Sequence, residues 1–536
     1  MNDDKFFTSA PVDGPRDILI IGSGMSALCA GAMLSAAGKK VLLLEQHFQP
    51  GGFTHTFTRK NFEWDVGLHY VGKASKTSPW HHQVIGLTDG AIRFEPFHGL
   101  LDELYFPDFH LLVPNDYEGY EANLAAAFPK EADGIHRYME TVRYMRRRLQ
   151  LYFGMNLLPR PLTRFARQTA IRRPHQLATR TTEQVMSRYL RDDHLKAVMD
   201  AQWGNIGSPR QHCSFLVHAA MMGNYLEEGA EYPIGGSGVF AREFGRVICR
   251  NGGAIRVKAK VQRLIIRNNR VEGVVLDSGE EVRAGVVISS IGVGNTYSGL
   301  LRDEPSCAAA IAELQKHQPA YEYLNLFIGF HKSPAEFGLG NGNTWIHPFW
   351  NTASDDPTWD VSDLAAHPVP KVLFFSSSSL RDPDLKNRPH GGWNGQIVTA
   401  VKTDSFARWR GSKWNHREDA YYRLKDAISD RLMSLLDSRY PGIRDNVAFS
   451  ELGTTLTYEH FTSSLHGIPY GLAPIPSRYG SLLMRPTTPV KNLYLCGQDL
   501  IMPGVPAAVG SANMCCSLIL RTNAGSPWCE KGRKIG

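Results

Sequence analysis

Residues 17–45 read DILIIGSGMSALCAGAMLSAAGKKVLLLE. DILII (17–21) is a short apolar run of the kind that forms a strand buried on both faces. The turn Gly22-Ser-Gly24-Met-Ser-Ala27 follows and opens a helix pattern that continues through Leu34. KVLLLE (40–45) then reads as a second parallel strand. In such a unit Gly22 permits the tight turn, Gly24 lets the backbone approach a pyrophosphate, and Ala27 allows close helix–strand packing. The helix N-terminus offers free N–H groups and the positive end of its dipole to a phosphate. Glu45 ends the second strand 21 residues after Gly24, where a carboxylate accepts from a ribose hydroxyl. GxGxxA alone carries little weight. With both strands and Glu45 it marks a dinucleotide-binding βαβ unit.

Outward from this unit the pattern changes several times. FEWDVGLHYVG (62–72) reads as a strand leading into a glycine turn, and residues 118–150 carry helical spacing with many charges. Residues 151–230 read as irregular, because Pro159, Pro161 and Pro174 interrupt any long helix. Residues 254–291 are β-patterned, with Asn268 and Asn269 at a hairpin tip. Further strands are expected at 321–330 and 371–379, within a second, antiparallel sheet, and a helix at 417–437. NLYLCG (492–497) is another short buried strand, followed by a glycine turn and the uncharged helix within 500–520. Gly292-Val-Gly294 imitates a second nucleotide turn, but no clear helix or acidic strand end follows it, so it reads as a connecting loop.

Nucleotide-type signals thus stand at both ends of a 536-residue chain, too long for one compact core. The expected fold is α/β. A discontinuous Rossmann-type domain takes residues 15–75, 230–300 and 488–522, and an inserted α+β substrate domain takes 76–229 and 301–487.

Composition excludes several classes. With 43 % apolar and 21 % charged residues, the chain is an ordinary globular protein without repeats. The eight cysteines, at 29, 213, 249, 307, 496, 515, 516 and 529, show no CxxC spacing. They predict neither a zinc site nor a redox dithiol, and fit a reducing, cytoplasmic setting. The N-terminus lacks the basic and apolar regions of a signal peptide. Residues 17–38 and 500–520 are apolar enough to imitate membrane spans, but Pro503, Pro506 and Asn513 favour a buried core helix. The net charge is +7, yet ten arginines and no acid lie between Arg143 and Arg180, which leaves the rest at −3.

GGFTHTF (51–57), FEWDVGLHYVG (62–72), YPIGGSG (232–238), Gly252-Gly253 and NLYLCGQDLIMPG (492–504) resemble the family of phytoene desaturases, carotenoid isomerases and retinol saturase, and within it most the retinol-saturase branch. The resemblance spans about residues 17–520 and is poor over 73–230, where substrate walls are expected. It implies an amine-oxidase-like fold and FAD as cofactor, with Gly51-Gly52 carrying the chain past the FAD phosphates. The implied cofactor contacts are Gly22, Gly24, Ser26 and Ala27; Glu45 and Gln46; and Gly51, Gly52, Phe53 and Thr54. Val261 would meet the adenine through its backbone, and Asp499, after Gly497, a ribityl or phosphate group. Gly504 and Val505 would bring a helix N-terminus to the flavin pyrimidine, where it stabilises the charge of the reduced ring.

The implied activity is hydride transfer from reduced flavin to a carbon–carbon double bond of a polyene or long-chain substrate. Desaturation or isomerisation by the same flavin is the alternative. A non-catalytic lipid-binding protein of the GDP-dissociation-inhibitor type shares the architecture and is the rival class. None of the redox readings needs a metal, and the sequence holds no HExxH or GxSxG. The reaction does need a proton. A histidine titrates near neutrality, so His69 is the first candidate donor, with Tyr70 next. His55 is a weaker candidate, and His81-His82 read as a surface loop. The arginines of 143–180 alternate with Leu149, Leu151, Tyr152, Phe153, Leu157, Leu158 and Phe165. That mixture predicts a peripheral surface for anionic lipid rather than nucleic acid, since no nucleic-acid motif accompanies the charge.

Overall fold

A computed structural model describes residues 6–73, 79–350 and 356–535. The extreme N-terminus and the boundary expected at 75/76 lie outside the described residues.

The strand Arg16–Ile21 is the middle of a parallel sheet. Its neighbours are Val41–Leu44 on one side and Glu281–Ser289 on the other. Ala254–Arg256 extends the first side in parallel. Leu493–Leu495 joins the far half of Glu281–Ser289, which brings the chain's two ends into one sheet. The near half pairs antiparallel with Arg270–Leu276, which pairs in turn, also antiparallel, with Val261–Arg267. Asn268 and Asn269 connect those two with φ of 50° and 54°, the left-handed conformation that a two-residue hairpin turn requires.

The helix Met25–Ala36 is buried along nearly its whole length. It packs between the helices Gly238–Arg250 and Val505–Leu520. Both apolar stretches that imitate membrane spans are therefore core, and no described helix is long and apolar enough to cross a membrane.

The second sheet has the order 447–453, 322–330, 393–401, 373–376, 343–346, 100–106, 109–114. All its pairings are antiparallel except 343–346 with 100–106. Strand Glu322–Phe330 is buried at all nine positions. The helix expected at 417–437 is Asp419–Arg439.

Three expectations are corrected. Residues 151–230 are not irregular: they form the helices Arg160–Gln168, Arg172–Ala178, Thr182–Met186, Asp193–Met199 and Phe215–Leu226. Pro161 and Pro174 lie in first turns, where no intrahelical N–H is needed, and Thr181, Asp192 and Ser214 cap the last three helices. Residues 62–72 are two elements. Phe62–Asp65 closes a hairpin with Thr56–Arg59, and Val71–Gly72 pairs with Ala230–Pro233 in a separate three-stranded sheet. His81 and His82 sit on the helix Trp80–Leu87, not in a surface loop, and His81 Nε2 lies 3.2 Å from the buried Glu231.

Candidate functional site

A cavity of about 630 Å³ runs from the first glycine turn into the space beside the second sheet. One wall is main chain. Gly22 has φ +92°, and Gly51 and Gly52 have φ +128° and +56°. The two turns touch: a Cβ on Gly52 would lie 3.1 Å from Gly24 Cα. Gly24 and Gly497 line the cavity, and a Cβ on either would meet no protein atom within 4 Å. This is open space along glycine backbone, the shape a pyrophosphate needs.

Ser23, which the sequence reading passed over, knits the cradle together. Its N–H and hydroxyl donate to Glu45 Oε2 at 2.9 and 2.5 Å, and its carbonyl accepts from Gly51 N at 3.1 Å. Glu45 Oε1 accepts from His47 N at 2.8 Å. Thr54 donates to Gly51 O at 2.8 Å, and His55 Nδ1 meets Gly52 O, so both residues fix the Gly51-Gly52 turn. Ser26 faces inward, donating to Ala508 O at 2.9 Å and so joining the helices Met25–Ala36 and Val505–Leu520; Ala27 is fully buried. Gln46 bonds Ser463, Phe53 meets Tyr458 with ring centroids 5.8 Å apart, and Val261 lines the cavity at the start of its strand.

At the other end of the cradle, Gly504, φ +110°, precedes the helix Val505–Leu520. The Asp499 carboxylate accepts from Val293 N at 2.8 Å and Leu472 N at 3.1 Å. It joins the loops at Gly292 and Gly471, so its direct partners are backbone amides. Gly292-Val-Gly294 opens a short helical turn and lines this same cavity.

The opposite wall is side chain. Tyr70, Tyr225, Tyr323, Tyr458 and Tyr470 line it, and burial pushes every one of these phenols upward, so each keeps its proton at neutral pH. Asn205 Nδ2 donates to the Tyr70 oxygen at 2.7 Å, and the Tyr70 and Tyr225 rings lie 4.6 Å apart. His69 also lines the cavity, with its ring edge-on to Phe374 at 4.9 Å.

The expectation that His69 titrates near neutrality does not hold. Burial, then the nearby Arg381 guanidinium, push it down to about 3. Arg381 donates to Ser376 Oγ at 2.7 Å and to the carbonyls of Asn341, Gly342 and His69 at 2.8, 3.1 and 3.4 Å. Behind it, burial pushes Asp102 up to about 7, although Asn343 (2.7 Å) and Gln202 donate to its carboxylate.

The arginine-rich segment is likewise not one solvated face. Arg143 pairs with Glu118, Glu121 and Glu140; Arg146 pairs with Glu227 at 3.2 Å; and Arg167 donates to the carbonyls of Gly480 and Ser481. Arg147, Arg148, Arg160, Arg164, Arg172 and Arg173 remain exposed.

Sheet order and glycine cradle together define a Rossmann-type dinucleotide-binding fold joined to a large antiparallel sheet. Residues 20–85 match the family model described as an NAD(P)-binding Rossmann-like domain. Cyclohexylamine oxidase from Brevibacterium oxydans IH-35A has the same fold, with a TM-score of 0.59, 15 % identity and coverage of 95 % of this chain and all of that one. All-trans-retinol 13,14-reductase of Danio rerio is 30 % identical over 535 residues, covering 96 % of this chain and 88 % of its own. Prolycopene isomerase 2, chloroplastic, of an Oncidium hybrid cultivar is 26 % identical, covering 93 % and 83 %. The chain belongs to the family that contains these retinol reductases and carotenoid isomerases.

Proposed function

We propose that the protein is an FAD-dependent oxidoreductase that reduces carbon–carbon double bonds of an apolar polyene, with isomerisation or desaturation by the same cofactor as the alternative. The observation that carries this is the continuity of the cavity. The glycine cradle opens directly into an aromatic chamber, so a flavin and a flat, conjugated chain can lie in one space. The family relationship to a retinol reductase and a prolycopene isomerase supports the substrate class.

When bound, FAD would supply or accept the hydride. The chain's own residues bind and position. Glu45 would accept from the ribose, Gly24 and the N-terminus of helix Met25–Ala36 would receive the pyrophosphate, and the N-terminus of helix Val505–Leu520 would stabilise negative charge on the ring. Asp499 acts by holding the loops around the cradle. Tyr70 holds a proton at its phenolic oxygen, oriented by Asn205, and is the preferred donor. His69, neutral, serves as wall. The test is anaerobic incubation of the reduced protein with all-trans-retinol and with a carotene, read by mass. A gain of two hydrogens supports reduction, an isomer at unchanged mass supports isomerisation, and no change with any polyene overturns the reading. The rival lipid-binding function without redox chemistry requires a colourless protein. Denaturation that releases no adenine-containing flavin would decide for it.

A second proposal concerns the exposed arginines. Leu162 and Phe165, on helix Arg160–Gln168, are 53 % and 64 % exposed, and Leu151 is 37 % exposed nearby in sequence. Apolar tips among cations suit an anionic bilayer surface. Vesicles with anionic lipid should bind the protein, and salt should weaken the binding by screening. Phe165→Ser with Leu162→Ser should abolish binding to vesicles without lowering flavin content. Equal binding to neutral and anionic vesicles would reduce the segment to a solvated face.

A further inference from the structure

The strands Val41–Leu44 and Glu281–Ser289 flank Arg16–Ile21 in the parallel sheet, so the chain that follows each of them stands on one bank of the first glycine turn. Gln46 and His47 follow the first strand, and Gly294 and Asn295 follow the second. All four line the cavity, as do their neighbours Glu45 and Gly292. In a doubly wound sheet this crevice is where a nucleotide lies. A stretch from far along the chain bridges it. Residues 461–465 continue from the end of the helix Thr455–Thr462 and also line the cavity.

Both banks grip this stretch. From one, Gln46 Nε2 donates to the Ser463 hydroxyl, and the rings of His47 and Phe461 meet edge-on with centroids 5.7 Å apart. From the other, Asn295 Nδ2 donates to the Ser463 carbonyl at 3.1 Å and to its own strand end, Ile291 O, at 3.0 Å. Leu465 lies over Gly294, where a Cβ would stand 3.5 Å from Leu465 Cδ2. The partners of Ser463 are 417 and 168 residues away in sequence. The loop itself is tightly turned. Ser463 has φ 49° and ψ 28°, the left-handed conformation that reverses a chain at the end of a helix. Gly467, φ +71°, returns so close to the start of that helix that a Cβ would stand 2.1 Å from Thr455 O. The crest between them is at the surface, with Ser463 and Leu465 exposed. An exposed crest buries little apolar area, so the hydrogen bonds at Ser463 decide whether it is shut.

We infer that residues 461–465 form a strap over the adenosine half of the cofactor site, pinned shut by Gln46 and Asn295, and that its opening sets how fast FAD enters and leaves. This rests on reading the cavity as an FAD site. Both pins join protein to protein, so the strap closes without help from its ligand. A wall that merely touched the cofactor would slow release alone, whereas a pinned strap obstructs passage in both directions. The strap belongs to residues 301–487, the part of the chain expected to hold substrate. It is tied to the chamber as well: Tyr458 stands on the helix that leads into it, and Thr462 Oγ1 donates to the Tyr458 carbonyl at 2.7 Å.

Two rates test this without turnover. Release of FAD from the loaded full-length protein is followed by the rise in flavin fluorescence on dilution. Loading is followed by the quenching of that fluorescence when FAD is added to the full-length protein stripped of flavin. Ser463→Ala removes the pin from Gln46, while alanine bears the same backbone strain as serine and keeps the carbonyl for Asn295. Asn295→Ala removes the other pin. Neither residue is buried, so both variants should fold with an unchanged circular dichroism spectrum. Each should speed release and loading alike by about fivefold, the usual effect of losing one hydrogen bond, and the double variant by more. The dissociation constant should change less than either rate. Faster release with unchanged loading would make Ser463 and Asn295 simple cofactor contacts and overturn the inference, as would wild-type rates in both variants. A wild-type protein that takes up no FAD overturns the cofactor reading instead.

Discussion

On the nucleotide side of the cavity the wall is main chain; on the far side it is side chain. The first is drawn from a few glycine turns at the two ends of the sequence. The second gathers tyrosines from positions 70, 225, 323, 458 and 470, on separate elements. A backbone wall depends on φ values and on missing Cβ atoms, so one added methyl group destroys it. A side-chain wall depends on packing and can change its contents while the fold stays. The same cradle can therefore serve many chemistries, and substrate choice sits in the other wall.

The largest expected effect is Gly24→Val. Gly24 has φ −66° and ψ 174°, which valine adopts readily, and a Cβ there meets no protein atom. The variant should fold with an unchanged circular dichroism spectrum and carry no flavin, because its side chain stands in the pyrophosphate's space. Retention of a full flavin spectrum would break the backbone-wall argument. Gly22 differs: its φ of +92° strains any other residue, so substitution there should lower stability as well as binding.

Next comes Tyr70→Phe, aimed at the side-chain wall. Flavin content should stay at the wild-type level, since no cradle contact changes. Turnover should fall by about 10²–10⁴, the usual contribution of a general acid. A turnover within about threefold of wild type would leave proton donation to a bound water.

The two walls also differ in how readily they are read from sequence. DILII and KVLLLE announce buried parallel strands, and the glycines announce their turns, because all the determinants are local. Glu45 follows from spacing alone. The roles of Ser23 and Asp499 do not, because the partners of Asp499 are amides at Val293 and Leu472, and those of Ser23 include Gly51. Residues 151–230 mislead because a proline signals a break, whereas Pro161 and Pro174 sit where helices start. The strands 100–106 and 109–114 give too short an alternation to stand out, yet they complete the second sheet and carry Asp102. The state of His69 depends first on its burial and then on Arg381, which lies 312 residues away.

Asp102 gives a prediction of intermediate size. Burial raises its carboxyl from 3.8 to about 7, so the folded protein holds its proton more tightly than the unfolded chain does. Stability on this account is highest at low pH, falls as pH rises from about 4 to about 7, and is flat above. The total loss is at most roughly 4 kcal/mol. Asp102→Asn removes the titration, and Gln202 and Asn343 can turn their amides to suit it. Urea midpoints at pH 5 and pH 8 should show a smaller loss in the variant than in the wild type. Parallel losses in both would mean that Asp102 stays ionised when buried.

The smallest expected effect is His69→Gln, which sharpens the contrast within the side-chain wall. His69 and Tyr70 are neighbours in sequence and both face the cavity, but their environments oppose each other chemically. Burial raises the Tyr70 phenol well above its ordinary value, so it carries a proton at neutral pH, while burial and then Arg381 lower the His69 imidazole to about 3. A histidine whose folded value lies below its unfolded one gives up its proton on folding. It is neutral from pH 5 to pH 9 and supplies no limb to the activity profile in that range. Glutamine keeps similar bulk beside Phe374 and leaves the backbone carbonyl that Arg381 grips unchanged. Turnover should therefore stay within about threefold of wild type, with the same pH profile and the same flavin content. Arg381→Met is the complementary variant. It removes the cation that, after burial, holds His69 low, so the imidazole should rise toward its ordinary range, detectable by NMR titration. A loss of 10²-fold or more in His69→Gln with flavin retained would return the proton-donor role to His69 and mean that substrate or reduced flavin raises its affinity for the proton.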